Sequence, residues 1–392
     1  MFSTRIPWSA RPNALTRALA GSGPPAIDLT TSNPTRVALA YPDDALRSAL
    51  ARAATVRYAP DPRGLRSARE AVAQYYATEH GIAVNPDHIV LTASSSESYA
   101  FLFKLLADPG DFVRVPRPSY PLFEHLAGLE GVRTLPFDYG YDGAWHLAPA
   151  AFVNHARDTR VRAIVVVHPN NPTGAFAKRA ERNTLHDQCT REGAVLVSDE
   201  VFADYAFAPD DARAPSFAGE TEVPTAVLGG LSKCVGLPGV KLGWIVLAGP
   251  TTWIESAMSR LELVSDTWLS VGASVQAAAP ELLRIGASVR DAIRARTCAN
   301  LETARDLLDA REGSACSALR VEGGWSLPVR LPATRDDEAW AITLLERDGV
   351  LTQPGYFYDM DAGTHLVLSL LVEPAAFRAG LLALAQRVRA DV

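Results

Sequence analysis

Four short apolar runs between residues 163 and 248 constrain the fold more than any other feature of the chain. They are AIVVV (163–167), AVLV (194–197), AVLGG (226–230) and GWIVLA (243–248). None of them alternates apolar with polar residues, which is typical of strands covered on both faces. Stretches of helix length separate some of the runs, and this order predicts a mostly parallel sheet in an α/β layer.

Helical patterns surround these runs. Residues 65–80 carry apolar side chains at a helical period, and residues 179–193 have the length of a helix. From about Glu281 onward helical stretches dominate, with apolar patches at 326–331 and 366–371. The sequence therefore predicts two domains: a large α/β domain over 40–280, and a smaller α+β domain formed by 1–39 plus 281–392.

The composition excludes several classes of function. The 392 residues include 38 basic and 44 acidic side chains, so no basic excess points to nucleic acid or to an acidic membrane. No apolar run approaches the roughly 20 residues that span a bilayer, and Arg5, Arg11 and Arg17 interrupt any signal-peptide core. The four cysteines form no Cys-x-x-Cys pair, and the eight histidines show no metal-binding spacing. We expect a cytoplasmic protein with neither a metal site nor a disulfide framework.

Polar segments follow three of the apolar runs. They read HPNNPTG (168–174), SDEVFADY (198–205) and GGLSK (229–233). Ligands of such sheets bind outside the carboxyl ends of the strands. The sequence therefore predicts a site at this edge, where the three segments converge.

Seven segments then occur in a set order along the chain: YAPDPRGLRSAR, TASSSES, RPSYPLF, NNPTG, SDEVFADY, LSKCVGLPGVKLGW and QPGYF. This series resembles the class I/II aminotransferases, which are pyridoxal-phosphate (PLP) enzymes, over about residues 27–374. The resemblance implies an aspartate aminotransferase-like fold with a sheet of the seven-stranded type, a PLP cofactor, and a homodimer.

The resemblance assigns the reactive positions to Lys233 and Asp199. Lys233 aligns with the lysine that forms the Schiff base, an amine that needs partial desolvation to be nucleophilic near neutral pH. Asp199 aligns with the carboxylate that keeps the pyridinium nitrogen protonated, so that the ring accepts electrons. The structural alternatives are a solvated loop lysine, and a helix cap or turn for the aspartate.

Further cofactor contacts are implied in the same way. Ser94, Ser95 and Ser96 match a phosphate-binding loop at a helix N-terminus, where a serine cap with Glu97 in the first turn is equally compatible. The remaining matches are Tyr120 stacked on the ring, Asn171 on the 3′-oxygen with a cis bond to Pro172 permitted, Ser232 beside the lysine, and Tyr58 reaching the phosphate of the neighbouring subunit. Core packing for Tyr120 and a simple turn for Asn171 are the alternatives.

Several positions depart from the family pattern around the cofactor. Lys241 stands where an arginine usually grips the phosphate, and lysine keeps the charge without the bidentate fork. Phe202 replaces a tyrosine and removes a hydroxyl donor to the 3′-oxygen. Gly230 replaces a serine, which removes one ligand and allows a closer backbone approach.

The substrate side departs further. Val367 in HLVLSLLVEP stands where relatives place the arginine that holds the substrate carboxylate, and valine cannot form that ion pair. Either Arg330 or Arg36 substitutes, or the substrate is not bound through its α-carboxylate. Other predicted substrate-site residues are Ser32, where glycine is usual, and Trp325 and Tyr356, for which core packing is an equal alternative.

The resemblance predicts an aminotransferase that moves an amino group from an amino donor to a keto acid in a ping-pong reaction, with Lys233 as the Schiff-base lysine. A β-eliminating carbon–sulfur lyase or a decarboxylase would use the same motifs and stays open. A non-catalytic PLP-binding sensor would be consistent with valine instead of arginine at position 367, but the retention of Lys233, Asp199 and Asn171 argues against this function.

Overall fold

The structure is a computed structural model that describes residues 2–6, 11–53, 59–147, 151–152, 159–309 and 315–391. Its strands are β1 (Ile27–Asp28), β2 (Ile89–Thr92), β3 (Phe112–Arg117), β4 (Arg133–Tyr141), β5 (Trp145–Leu147), β6 (Val161–Val167), β7 (Val195–Asp199), β8 (Thr225–Gly230), β9 (Gly243–Ala248), β10 (Ser317–Ala318), β11 (Ser326–Leu331), β12 (Val350–Leu351), β13 (Gln353–Pro354) and β14 (Thr364–Ser369). Its helices are α1 (Ala14–Ser22), α2 (Asp43–Arg52), α3 (Arg66–Tyr75), α4 (Ser95–Leu106), α5 (Phe123–Leu129), α6 (Arg179–Glu192), α7 (Leu231–Cys234), α8 (Thr251–Asp266), α9 (Ala273–Leu308), α10 (Asp337–Asp348) and α11 (Pro374–Asp391).

The large sheet has the order β2-β9-β8-β7-β6-β3-β4-β5. Strands β3, β4, β6, β7 and β8 pair in parallel, as predicted, whereas β9 pairs antiparallel with β2 and β8. The connection from β8 to β9 contains only the four-residue helix α7 and no helix long enough to cross a face of the sheet, which favours an antiparallel neighbour. The predicted sheet of the seven-stranded type is present, with the short strand β5 added at its edge.

Both faces of this sheet are covered by apolar cores. Ile164 and Val166 of β6 belong to one buried cluster, and Ala163 and Val165 belong to another. Successive side chains of a strand point to opposite faces. This explains why the apolar runs show no polar alternation: neither face meets water.

A second sheet, with the order β10-β11-β14-β13, is antiparallel and packs on α10, α11 and the end of α9. The 36-residue helix α9 crosses the predicted domain boundary at 280/281, and the division into domains stays a prediction. Among the described residues, none of the helices is both long and apolar enough to cross a membrane.

Candidate active site

A cavity of about 400 Å³ lies at the carboxyl ends of β6, β7 and β8. Asn171, Asp199 and Lys233, one from each of the three polar segments, line it together. The parallel strands force this convergence, because each strand ends at the same edge of the sheet.

Lys233 lies on α7, the short helix that begins directly after β8. Its Nζ is 4.9 Å from the centroid of the Trp325 ring and 5.4 Å from that of Phe202. Burial lowers the pKa of Lys233, and the nearby charge of Asp199 partly opposes this effect. Within the described part of the chain Nζ has no hydrogen-bonding partner, so the amine is available to attack a carbonyl carbon.

Asp199 is the last residue of β7, and its carboxyl group is buried in the cavity wall. It accepts hydrogen bonds from the Tyr99 hydroxyl at 3.0 Å and from the Val201 N–H at 3.2 Å. Burial raises the pKa of Asp199 to about 6, although both hydrogen bonds and Lys233 act to lower it. The Val201 contact is a local turn bond, and this turn role is compatible with a cofactor role because the carboxyl group still lines the cavity.

Sequence reasoning missed Tyr99. It lies on α4, one turn after Ser95, and both side chains line the cavity. A signal existed, since a tyrosine inside an apolar helix needs a partner for its hydroxyl when it is buried. The partner could not be read from the sequence because Asp199 lies 100 positions away.

Ser94, Ser95 and Ser96 have different contacts. The Ser94 side chain caps α4 by accepting from the Glu97 N–H at 3.2 Å, and the Glu97 carboxylate accepts from the N–H of Ala93, the residue before the cap, at 2.6 Å. Ser95 and Ser96 line the cavity at the N-terminus of the 12-residue helix α4. The free N–H groups and the dipole at this end favour an anion.

The structure also brings together the residues that were predicted to surround the cofactor ring. Tyr120 and Phe202 line the cavity with Asn171, and the Asn171–Pro172 bond is cis. The Asn171 Oδ1 accepts from the Ser326 hydroxyl at 2.9 Å. Its amide NH₂ group has no partner among the described residues, so it is a free donor at the cavity.

Not every predicted residue reaches this cavity. Ser32, Trp325 and Val367 line it, but its described wall does not include five others: Ser94, Ser232, Lys241, Arg36 and Tyr356. Lys241 is exposed, with a positive φ of 61°. The Tyr356 hydroxyl donates to Glu338 at 3.0 Å on the surface, which turns it away from a substrate pocket.

One more predicted residue, Arg330, lies outside the described wall of this cavity. Arg330 pairs in register with His365, whereas Val367 pairs with Pro328. Two residues along a strand correspond to about 7 Å, and Arg330 instead lies over the Tyr141 ring at 5.4 Å. Tyr58 lies outside the described residues.

The polar groups that line this cavity fit the PLP molecule. A buried amine suits its aldehyde, the Asp199 carboxylate suits its ring nitrogen, and the N-terminus of α4 with Ser95 and Ser96 suits its phosphate. The fold and the site together define an α/β enzyme that binds PLP.

The sequence profile described as "Aminotransferase class I and II" matches residues 21–371. The chain belongs to this family of PLP-dependent transferases. It is 28% identical over 318 residues to the arginine–pyruvate transaminase AruH of Pseudomonas aeruginosa, which covers 80% of this chain and 77% of that protein. It is 24% identical over 346 residues to the glutamate–pyruvate aminotransferase AlaA of Haemophilus influenzae, and this alignment covers 86% of this chain and 84% of that protein.

Solved structures share the fold. The alanine aminotransferase from Pyrococcus furiosus superposes with a TM-score of 0.84 over 95% of each chain, at 21% sequence identity. These findings confirm the predicted fold class, the PLP cofactor and the predicted aminotransferase activity.

Phe202→Tyr is expected to lower the pH at which the visible absorption of the bound cofactor changes, by about one unit. The added hydroxyl supplies a donor for the 3′-oxygen and stabilises its deprotonated form. Spectroscopic pH titration of both holoenzymes measures this midpoint. Phe202→Leu is the control and should not lower it; equal midpoints for wild type and Phe202→Tyr would contradict the prediction.

Gly230→Ser is expected to destabilise the protein by about 1–3 kcal/mol rather than simply add a phosphate ligand. A Cβ atom at Gly230 would lie 3.1 Å from the Leu242 carbonyl oxygen and 3.2 Å from the Gly243 Cα, so β9 would have to shift. Gly239→Ser is the control, because a Cβ there meets nothing within 4 Å. Denaturant unfolding compares the two variants, and equal stabilities would refute the prediction.

Proposed function

We propose that the cavity carries out amino transfer in two half-reactions, with Lys233 as both the attachment point of PLP and the proton carrier. The observation that carries this proposal is a buried amine, without a hydrogen-bonding partner among the described residues, that shares one cavity with the buried carboxyl group of Asp199. When bound, PLP supplies an electron sink for the carbon that bears the substrate amino group.

The residues around the cofactor have separate tasks in this proposal. Asp199 holds a proton on the ring nitrogen, and Tyr99 and the Val201 N–H fix its orientation. Asn171 donates to the 3′-oxygen, and Tyr120 covers the ring. The lowered pKa of Lys233 suits it to this task, because its Nζ would have to take a proton from the amine-bearing carbon near neutral pH and pass it to the cofactor carbon that would receive the amine.

The phosphate site requires more than α4. Ser95 and Ser96 with the helix N-terminus hold the phosphate in this proposal, and Ser232 and Lys241 complete the site once the cofactor and a second subunit are in place. We infer a homodimer in which Tyr58 reaches the neighbouring phosphate, and a cytoplasmic location, which fits the four free cysteines. Light scattering tests the dimer, and a monomeric mass for the active holoenzyme would exclude it.

One experiment tests the chemistry directly. The holoenzyme is reduced with borohydride and digested, and we expect the cofactor mass on the peptide that contains Lys233. Product analysis with a panel of amines and amino acids then separates the outcomes. An exchanged amine supports transfer, whereas ammonia, free thiol or carbon dioxide indicates elimination or decarboxylation and would overturn the proposal.

A further inference from the structure

The cavity wall carries few charges. Among the residues that the structure describes there, Lys233 is the only cation and Asp199 the only anion. Both are assigned to the cofactor by the proposed function. Every other described residue of the wall is neutral, so the described wall of this chain offers no guanidinium or second amine to pair with a charged group of the substrate.

Val367 lies on β14 and is one of the residues that this strand contributes to the wall. It is 1% exposed and pairs in register with Pro328 and Gln353. The hydroxyls that flank it are already used: Ser326 donates to Asn171 at 2.9 Å, and Ser369 donates to the Thr31 carbonyl oxygen at 2.7 Å. A carboxylate placed against Val367 would therefore lose water and gain no ionic partner.

The two arginines that could replace such a partner lie away from this wall. Arg330 lines a separate cavity of about 310 Å³ with His365 and Tyr141. Arg36 is exposed and is not among the residues that line the catalytic cavity.

We propose that the productive substrates of this enzyme are apolar or aromatic amines that bear no free carboxylate on the reacting carbon, together with the matching aldehydes and ketones. The inference rests on the proposed function and names its substrate class. Trp325, Phe202, Tyr120 and Val367 offer an apolar enclosure for the substrate body. Moving an unpaired carboxylate from water into such an enclosure costs free energy, because no ion pair offsets its loss of hydration.

Matched substrates test this proposal. Each set holds an amine, the corresponding amino-acid amide and the free amino acid, with a methyl, isobutyl or benzyl side chain. Stopped-flow measurement of the holoenzyme gives the rate at which each compound bleaches the visible absorption of the cofactor. We expect the amine and the amide to exceed the free acid by about 100-fold or more in kcat/KM, and phenylacetaldehyde to exceed phenylpyruvate in the reverse half-reaction.

Variants at Val367 sharpen the result. Val367→Arg is expected to raise the rate with the free acid relative to the amide by about 10-fold or more, whereas Val367→Gln, which is long but neutral, should not. A free acid that reacts as fast as its amine in the wild-type enzyme would overturn the inference while leaving amino transfer intact. Bleaching by none of the compounds would instead refute the proposed function, and the inference with it.

Discussion

Lys233→Arg is expected to lower the rate of amino transfer by about 10⁴-fold or more. Arginine keeps the positive charge and most of the length, but its guanidinium stays protonated and can neither attack a carbonyl nor accept a proton. The 5.4 Å and 4.9 Å contacts to the Phe202 and Trp325 rings can persist, since arginine also stacks on aromatic faces. Steady-state kinetics with the best donor of the panel measures the loss.

Lys104→Arg is the matched control. Lys104 lies on α4 and pairs with Glu130, away from the cavity. This variant should keep the wild-type rate. If Lys233→Arg retained more than about one hundredth of the activity, Lys233 would not be the proton carrier.

Asp199→Asn is expected to lower the rate by about 10²–10³-fold, with little change in the fold. The amide keeps the shape, its Oδ1 can still accept from the Val201 N–H, and its NH₂ group can donate to the Tyr99 hydroxyl oxygen, but it carries no charge to hold the proton on the ring nitrogen. Asp204→Asn is the control, because Asp204 is a second buried aspartate whose described contacts lie outside the cavity. A rate for Asp199→Asn within tenfold of wild type would remove Asp199 from the mechanism.

The same substitution should alter how the stability of the cofactor-free protein depends on pH. The pKa of Asp199 is about 6 in the folded chain and about 4 in an unfolded chain. Unfolding therefore releases a proton between these values, and the free energy of unfolding falls as the pH rises from about 4 to about 6, by up to about 3 kcal/mol. Asp199→Asn should lack this fall, and parallel stability curves for the two proteins would contradict the assignment.

Much of the architecture was predictable because the apolar runs and the strand order obey general rules. The run GWIVLA coincides with β9, and the run AIVVV lies within β6. The direction of β9 was not predicted, since burial on both faces looks the same in parallel and antiparallel strands. The edge strand β5 spans only Trp145–Leu147 and is too short to leave a periodic signal.

The candidate site was likewise predictable in part from the sequence. Asn171, Asp199 and Lys233 lie at or just past the ends of the neighbouring parallel strands β6, β7 and β8, so their convergence follows from the topology. Contacts between distant elements, such as Tyr99 with Asp199 and Ser326 with Asn171, depend on tertiary packing that no local pattern encodes. The position of Arg330 depends on the register between β11 and β14. Arg330 pairs with His365, and both line the second cavity, whereas Val367 lines the candidate active site.

The helix α9 contributes side chains to two separate apolar cores of the protein. Near its start, Leu282 and Ile285 pack into the core of the large sheet, and near its end, Leu301 and Leu308 pack into the core of the small sheet. At about 1.5 Å per residue it is about 54 Å long. Loss of either core would expose the apolar face of about half of α9 to water, so we expect the two cores to unfold together in one transition.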